Sequence, residues 1–189
     1  MRSKTTYREI PMKKEINVFD YAGEILSKLQ GGVLLTTKTA KGVNSMTIGW
    51  GMIGIEWSRP IFTAFVREGR YTKEQLDISD EFTISVPYGK VDKRILGVCG
   101  TKSGRDCDKI TELGLSLEQP RVTSVPGIAE LPLTLECRVI YKQRQDPAAI
   151  GPEITKASYP QDVDSSFHGS NRDYHIAYYG EIVSAYIIE

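Results

Sequence analysis

Val33-Leu-Leu-Thr-Thr-Lys-Thr-Ala-Lys-Gly-Val-Asn-Ser-Met-Thr-Ile-Gly-Trp-Gly51 is the stretch on which the fold turns. Val33 to Lys38 reads as a strand, Thr39-Ala-Lys-Gly42 as a turn, and Val43 to Ile55 as a second strand, which together predict a hairpin. Small hydroxyl residues and glycines weaken a strand interior unless something needs close approach to its backbone. Alternation puts Ser45 and Thr47 on one face of Asn44–Ile48, and Met46 and Ile48 on the other. A flat ligand lying edge-on to this strand would take hydrogen bonds from its N–H and C=O groups. A glycine-softened strand curving round a barrel accounts for the same residues.

On the N-terminal side, Asn17 to Gln30 carries Val18, Tyr21, Ala22, Ile25, Leu26 and Leu29 at helical spacing, with Gly31-Gly32 as the stop. On the C-terminal side, Pro60 to Val66 is a third strand, Thr72 to Ser79 a short helix, and Glu81 to Pro87 an alternating strand. Asp92 to Leu113 predicts one or two short helices interrupted at Gly100–Gly104. Leu131 to Lys142 is a strand with Leu131, Leu133, Leu135, Cys137 and Val139 on one face, and Tyr174 to Ile188 closes the chain as a long apolar strand. The polar, aperiodic stretch between them, Asp146 to Asp173, has the length of a lid or a partner-contacting excursion. Strands without regular βαβ alternation predict a mainly β fold with helical additions, an antiparallel barrel rather than a doubly wound sheet.

Composition narrows the function. The chain has 189 residues, which fits one domain spanning 1–189. Its 24 Lys+Arg balance 24 Asp+Glu, so it is not built to grip a polyanion or an acidic membrane face, and its aromatics are not interleaved with a basic stripe. Nucleic acid and membrane partners are therefore not expected. Three cysteines (Cys99, Cys107, Cys137) without C-x-x-C spacing argue against a disulfide framework or a metal site, and read as free thiols in a reducing compartment. The polar N-terminus lacks an apolar signal segment, and no apolar run approaches a membrane span, so a cytoplasmic protein is expected. No G-x-S-x-G elbow marks a hydrolase.

Four segments could carry chemistry. Asn44, Ser45, Met46, Thr47 and Ile48 form the strand already described. Arg70-Tyr71-Thr72 sits where a strand gives way to a helix; free backbone N–H groups, the Arg fork and a Thr72 hydroxyl at the N-cap position suit an anion. The same residues also describe a surface arginine and an ordinary cap. Cys99 to Lys109 gathers Ser103, Gly104, Arg105 and Lys109 in a helix-to-helix turn that can present N–H groups and positive charge. It equally describes a solvated turn in which Asp106 caps the next helix and Arg105 pairs at the surface. His175 lies on the last strand, as a catalytic, core or dimer-contact histidine; His168 lies in the polar stretch.

In this order the segments resemble the flavin reductase-like family, the flavoredoxin group of FMN-binding split barrels. The resemblance runs through Val33-Leu-Leu-Thr-Thr37, Asn44-Ser-Met-Thr-Ile-Gly-Trp50, Arg70-Tyr-Thr72, Phe82-Thr-Ile-Ser-Val-Pro87, Cys99-Gly…Ser103-Gly-Arg-Asp106…Lys109 and His175…Gly180-Glu-Ile182. It implies a homodimer of antiparallel Greek-key split barrels holding FMN non-covalently near the subunit interface. Asn44 to Ile48 would line the isoalloxazine edge, and Arg70, Tyr71 and Thr72 would hold the phosphate. Ser103 to Lys109 would close over ribityl and phosphate, with His175 near the flavin or a nicotinamide. The implied activity is an oxidoreductase passing hydride or electrons from NAD(P)H or a redox partner, through FMN, to a small-molecule or protein acceptor. The alternative is an FMN-bearing electron-transfer protein without its own NAD(P)H site. Glu68-Gly69 ahead of the Arg-Tyr-Thr and the 146–173 stretch depart from the family pattern.

Overall fold

The computed structural model describes residues 12–164 and 171–189, and His168 lies outside them. Strand β1 is Lys13–Glu15. After a 3-10 turn at Val18–Tyr21 come α1 (Ala22–Leu29), β2 (Val33–Thr39), β3 (Gly42–Ile48), β4 (Gly51–Glu56), β5 (Arg59–Arg67), α2 (Tyr71–Leu76) and β6 (Glu81–Val86). Two helices follow, α3 (Lys93–Thr101) and α4 (Lys109–Leu113). The short strands β7 (Leu117–Glu118) and β8 (Gly127–Ile128) precede β9 (Leu133–Arg144), α5 (Pro152–Ser158) and β10 (His175–Ile188).

The main sheet is antiparallel with strand order β3-β2-β6-β9-β10-β5-β4; β1 pairs with the far end of β10, alongside β5's place on the same edge. The strands at the two ends of this order, β3 and β4, are consecutive in sequence. Six interstrand spacings of about 4.8 Å would hold them roughly 29 Å apart in a flat sheet. The three Cα steps from Ile48 to Gly51 span at most about 11 Å. The sheet must therefore roll until its edges converge at Gly49-Trp50, which makes it a split barrel. Because β10 and β9 lie between β5 and β6, the connection through α2 is the long link of a Greek key.

The barrel interior is filled from alternate positions of every long strand. Val33 and Leu35, Phe62 and Ala64, Phe82 and Ile84, Leu133, Leu135 and Cys137, and Tyr178 form one buried cluster that Ile25 and Leu29 of α1 plug at one end. The face predicted for 131–139 holds from Leu133 to Val139, whereas Leu131 joins a second cluster. There Leu34, on the opposite face of β2, packs with Ile95 and Cys99 of α3, Leu115 and Ile128. Thus β2 is covered on both sides, which is why Val33-Leu-Leu carries no polar alternation.

Several expectations need correcting. Val43–Ile55 is not one strand: it breaks at Gly49-Trp50 into β3 and β4, which occupy opposite edges. A second hairpin, not expected from the sequence, joins β4 to β5 through Trp57 and Ser58, both at positive φ (50° and 58°), the geometry of a tight hairpin turn. The predicted helix at 17–30 shortens to α1 after its 3-10 entry, and the 72–79 helix becomes α2 at Tyr71–Leu76. The interruption between α3 and α4 runs from Lys102 to Asp108, and Asp108, not Asp106, caps α4, accepting from the Ile110 and Thr111 N–H groups at 3.0 and 3.2 Å. Within 146–173 the structure adds α5, which the aperiodic sequence does not predict.

Register irregularities in the β9–β10 pairing, one of them at Tyr179/Gly180, bend the long pair so that it follows the barrel. A Cβ at Gly180 would lie 2.5 Å from Phe82 Cζ and 2.9 Å from Cys137 Cβ, both fully buried. Overpacking of this kind costs about 1–3 kcal/mol. Gly180→Ala is expected to lower the denaturant midpoint accordingly, and an unchanged midpoint would show that the barrel wall yields there.

Candidate functional site

Where the sheet edges converge, a cleft opens between β3, the start of α2, the α3–α4 turn and the first residue of β10. Its wall on one side is β3, whose sole ladder among the described residues is with β2. The other edge of β3 therefore carries N–H and C=O groups without strand partners. Asn44, Met46, Thr47 and Ile48 line the cleft along that strand, and Gly49 and Trp50 continue the lining.

Asn44 joins three of the elements. It is buried, and its Nδ2 donates to Thr72 Oγ1 at 2.9 Å. Its Oδ1 is buried without a partner. Gly104 lies so close that a Cβ there would come 2.2 Å from Asn44 Oδ1 and 2.7 Å from Tyr71 Cδ1. Glycine at 104 thus lets the turn seat against β3 and α2. Thr72 is not the N-cap: Arg70 holds that position with extended backbone, and the Thr72 hydroxyl instead accepts from Asn44. Ser103 stabilises the turn by accepting from the Arg105 N–H at 3.2 Å.

Two expected β3 ligands have other tasks. Ser45 does not line the cleft; it is fully buried and its hydroxyl pairs with Thr36 Oγ1 at 2.6 Å across the β2–β3 ladder. Thr47 reaches the cleft, but its hydroxyl donates to the Leu96 carbonyl at 2.7 Å, fastening α3 to β3. This follows the predicted alternation, since positions 45 and 47 face the helices rather than the barrel interior.

The cleft is strongly cationic. Arg67, Arg70, Lys102, Arg105 and Lys109 line it, and no Asp or Glu does among the described residues. Three of these charges are already engaged. Arg105 pairs with Glu74 (Nε–Oε1 3.1 Å) and donates to the Gly69 carbonyl, and Lys102 pairs with Glu112. Arg67 donates to the carbonyls of Ser158 (3.0 Å) and Asp173 (2.6 Å) and lies over the Trp50 and Tyr159 rings. Arg70 and Lys109 have no salt bridge among the described residues. Lys109 is only 3% exposed, donates to the Lys102 carbonyl at 3.2 Å, and burial lowers its pKa from the ordinary lysine value. A desolvated ammonium without a counter-ion is costly unless an anion arrives. The site is poised for one.

At the other end stands His175, 5% exposed, its Nδ1 2.9 Å from Tyr159 Oη and its ring 4.8 Å from that of Trp50. Burial, reinforced by the Arg67 charge, lowers its pKa to about 4, so it is neutral at ordinary pH. All the sequence-derived candidates except Ser45 thus surround one cleft. Trp50 and Arg67, at the edges of the segments read from the sequence but given no role there, line it too, and Gln145 and Tyr159 stand behind it against His175. A bulky Trp between two glycines could have flagged position 50. Gln145 and Tyr159 carry no local signal, because only the fold brings them to His175.

The sequence profile of the flavin reductase like domain matches residues 27–189. A curated protein of Archaeoglobus fulgidus, described only as uncharacterized, is 31% identical over 97 residues, 51% of this chain; the chain spans 54% of that relative's length. The fold is similar to that of a flavoredoxin from Methanosarcina acetivorans, with a TM-score of 0.61 and 21% identity, covering 100% of this chain and 75% of the other. It is also similar to an FMN-binding domain of a flavin reductases-like enzyme from Shewanella baltica, with a TM-score of 0.61, 16% identity, and coverage of 96% and 80%. The rolled antiparallel sheet and the match over nearly the whole described chain lead to one conclusion: the chain belongs to the flavin reductase-like family.

Proposed function

We propose that this chain is an FMN-dependent oxidoreductase that passes hydride or electrons from NAD(P)H or a redox partner, through bound FMN, to an acceptor. The observation that carries the reading is one cleft with a free strand edge along its wall and two uncompensated cations, Arg70 and Lys109, at one end. A flat heteroaromatic ring with polar edges suits the first feature, and a phosphate monoester suits the second. The residues present fit FMN. The orphan Asn44 Oδ1 offers an acceptor for a ligand N–H or O–H, while Thr72 and Ser103 add hydroxyls beside the cations. The fold neighbours described as a flavoredoxin and as an FMN-binding domain support the same reading.

When bound, FMN supplies reversible hydride and one- or two-electron transfer. The chain's part is to bind, orient and shield. Unpaired β3 backbone groups would fix the ring edge. Arg70 and Lys109 would hold the phosphate, the anion restoring the charged form that burial of Lys109 disfavours. Trp50, backed by the Tyr159 ring, walls the opposite end, where the neutral His175 would face the reacting partner. A homodimer belongs to this reading, supported by exposed Met52, Trp57 and Tyr141, with Trp57 and Tyr179 in ring contact with Tyr141. A cytoplasmic setting belongs to it as well; among the described residues no helix is long and apolar enough to cross a membrane.

Each charge-assisted hydrogen bond is worth about 1.5–3 kcal/mol, so Arg70→Ala is expected to weaken FMN binding by about tenfold to a hundredfold. The circular dichroism of the variant should match the parent. Unchanged FMN affinity would overturn the phosphate assignment. The purified protein, examined by visible absorption, is expected to carry FMN and to bleach when NADH or NADPH is added without oxygen. FMN that stays oxidised with both nucleotides would favour the electron carrier, and a colourless protein that takes up no FMN would contradict both.

A further inference from the structure

His175 is held by an unusual convergence of hydrogen bonds. Gln145 Oε1 lies 3.2 Å from the His175 backbone N–H and 2.8 Å from Tyr159 Oη. The backbone N–H can only donate, so it fixes the carboxamide with oxygen, not nitrogen, facing this group. Tyr159 has one proton, and Gln145 Oε1 takes it. At 2.9 Å from His175 Nδ1, the Tyr159 oxygen is then left to accept. The backbones of the two residues are joined as well, Gln145 N–H donating to the His175 carbonyl at 3.0 Å.

We propose that Gln145 and Tyr159 are positioning residues that lock His175 in its Nδ1–H tautomer, leaving Nε2 as a hydrogen-bond acceptor for an N–H or O–H group on the molecule that enters the cleft. Among the described residues the imidazole's hydrogen bond is made through Nδ1, none is made through Nε2, and His175 lines the cleft. Arg67 reinforces the arrangement by lying over the Tyr159 and Trp50 rings, and its positive charge favours a neutral imidazole. A carbonyl or ether oxygen at the same place would meet lone pair against lone pair. The group selected is therefore a carboxamide, amine or hydroxyl. The tautomer stands on this geometry alone; the role of that molecule as a redox substrate rests on the oxidoreductase reading.

Long-range 1H–15N correlation of the uniformly 15N-labelled full chain at neutral pH tests the tautomer, with His168→Gln assigning the second histidine. Expected for His175 is a protonated-type Nδ1 and an unprotonated-type Nε2. In Gln145→Ala the Tyr159 hydroxyl loses its acceptor and turns to donate to Nδ1, so the pattern inverts to Nε2–H. Gln145→Glu keeps an acceptor oxygen and keeps the parent pattern. Should Gln145→Ala not fold, Tyr159→Phe serves: removing the acceptor of Nδ1–H gives a mixed or Nε2–H population. An Nε2–H parent, or variants that all retain the parent pattern, would overturn the proposal. Phenol, which can donate, is expected to shift the Nε2 resonance and to bind about tenfold more tightly than anisole, which cannot. Equal binding of the two, or no shift with either, would overturn the ligand assignment. None of these readouts requires flavin, so a failure here is distinguishable from a failure to bind FMN.

Discussion

Gly49 and Trp50 connect the strands at opposite ends of the sheet, and that short tether dictates both the closure of the barrel and the place of its cleft. It forces an open antiparallel ladder to close on itself, and it sets the closing seam beside an unpaired edge of β3. A seam is the one place on a barrel where backbone donors and acceptors stay available without destabilising the ladder. The cleft forms there for that reason. Trp50 cannot enter the packed interior from a two-residue link, so it stays half exposed and becomes a wall shared by the cleft and the 145–159 region.

Around that seam, polar groups are distributed by purpose. Asn44 ties β3 to α2 and, through its contact with Gly104, to the α3–α4 turn, so the cationic residues are held on a common frame. Glu74 and Glu112 neutralise Arg105 and Lys102 at the rim, which concentrates the uncompensated charge on Arg70 and Lys109. The chain's zero net charge conceals this, because the balance is struck over the whole surface while the cleft lining holds cations alone among the described residues. Long-range attraction of anions would be weak, but local binding would be strong.

Legibility in the sequence divides along physical lines. The strands at 60–66, 81–87, 131–142 and 174–188 are readable because apolar β-formers crowd 60–66 and 174–188 and alternate along 81–87 and 131–142. The break at Gly49-Trp50 is not, since two residues of coil between apolar runs look like a softened strand, and the edge each half occupies depends on partners far along the chain. Arg70, Ser103, Gly104, Arg105 and Lys109 stand out because cations, hydroxyls and glycines cluster locally. Whether Arg105 is free or committed does not show, because Glu74 reaches it across 31 positions. Ser45 misleads for the same reason, its hydroxyl being taken by Thr36 on the neighbouring strand. Gln145 and Tyr159 become meaningful only when β10 brings His175 to them.

On the proposed reading, the seam binds a flavin through its phosphate as much as through its ring. The most direct test is titration of the flavin-free protein with FMN and with riboflavin, followed by fluorescence quenching at low and high salt. FMN is expected to bind about a hundredfold or more tightly than riboflavin, as two charge-assisted contacts worth about 1.5–3 kcal/mol each require, with the advantage shrinking as salt rises. Equal affinity for the two flavins, unaffected by salt, would contradict this reading.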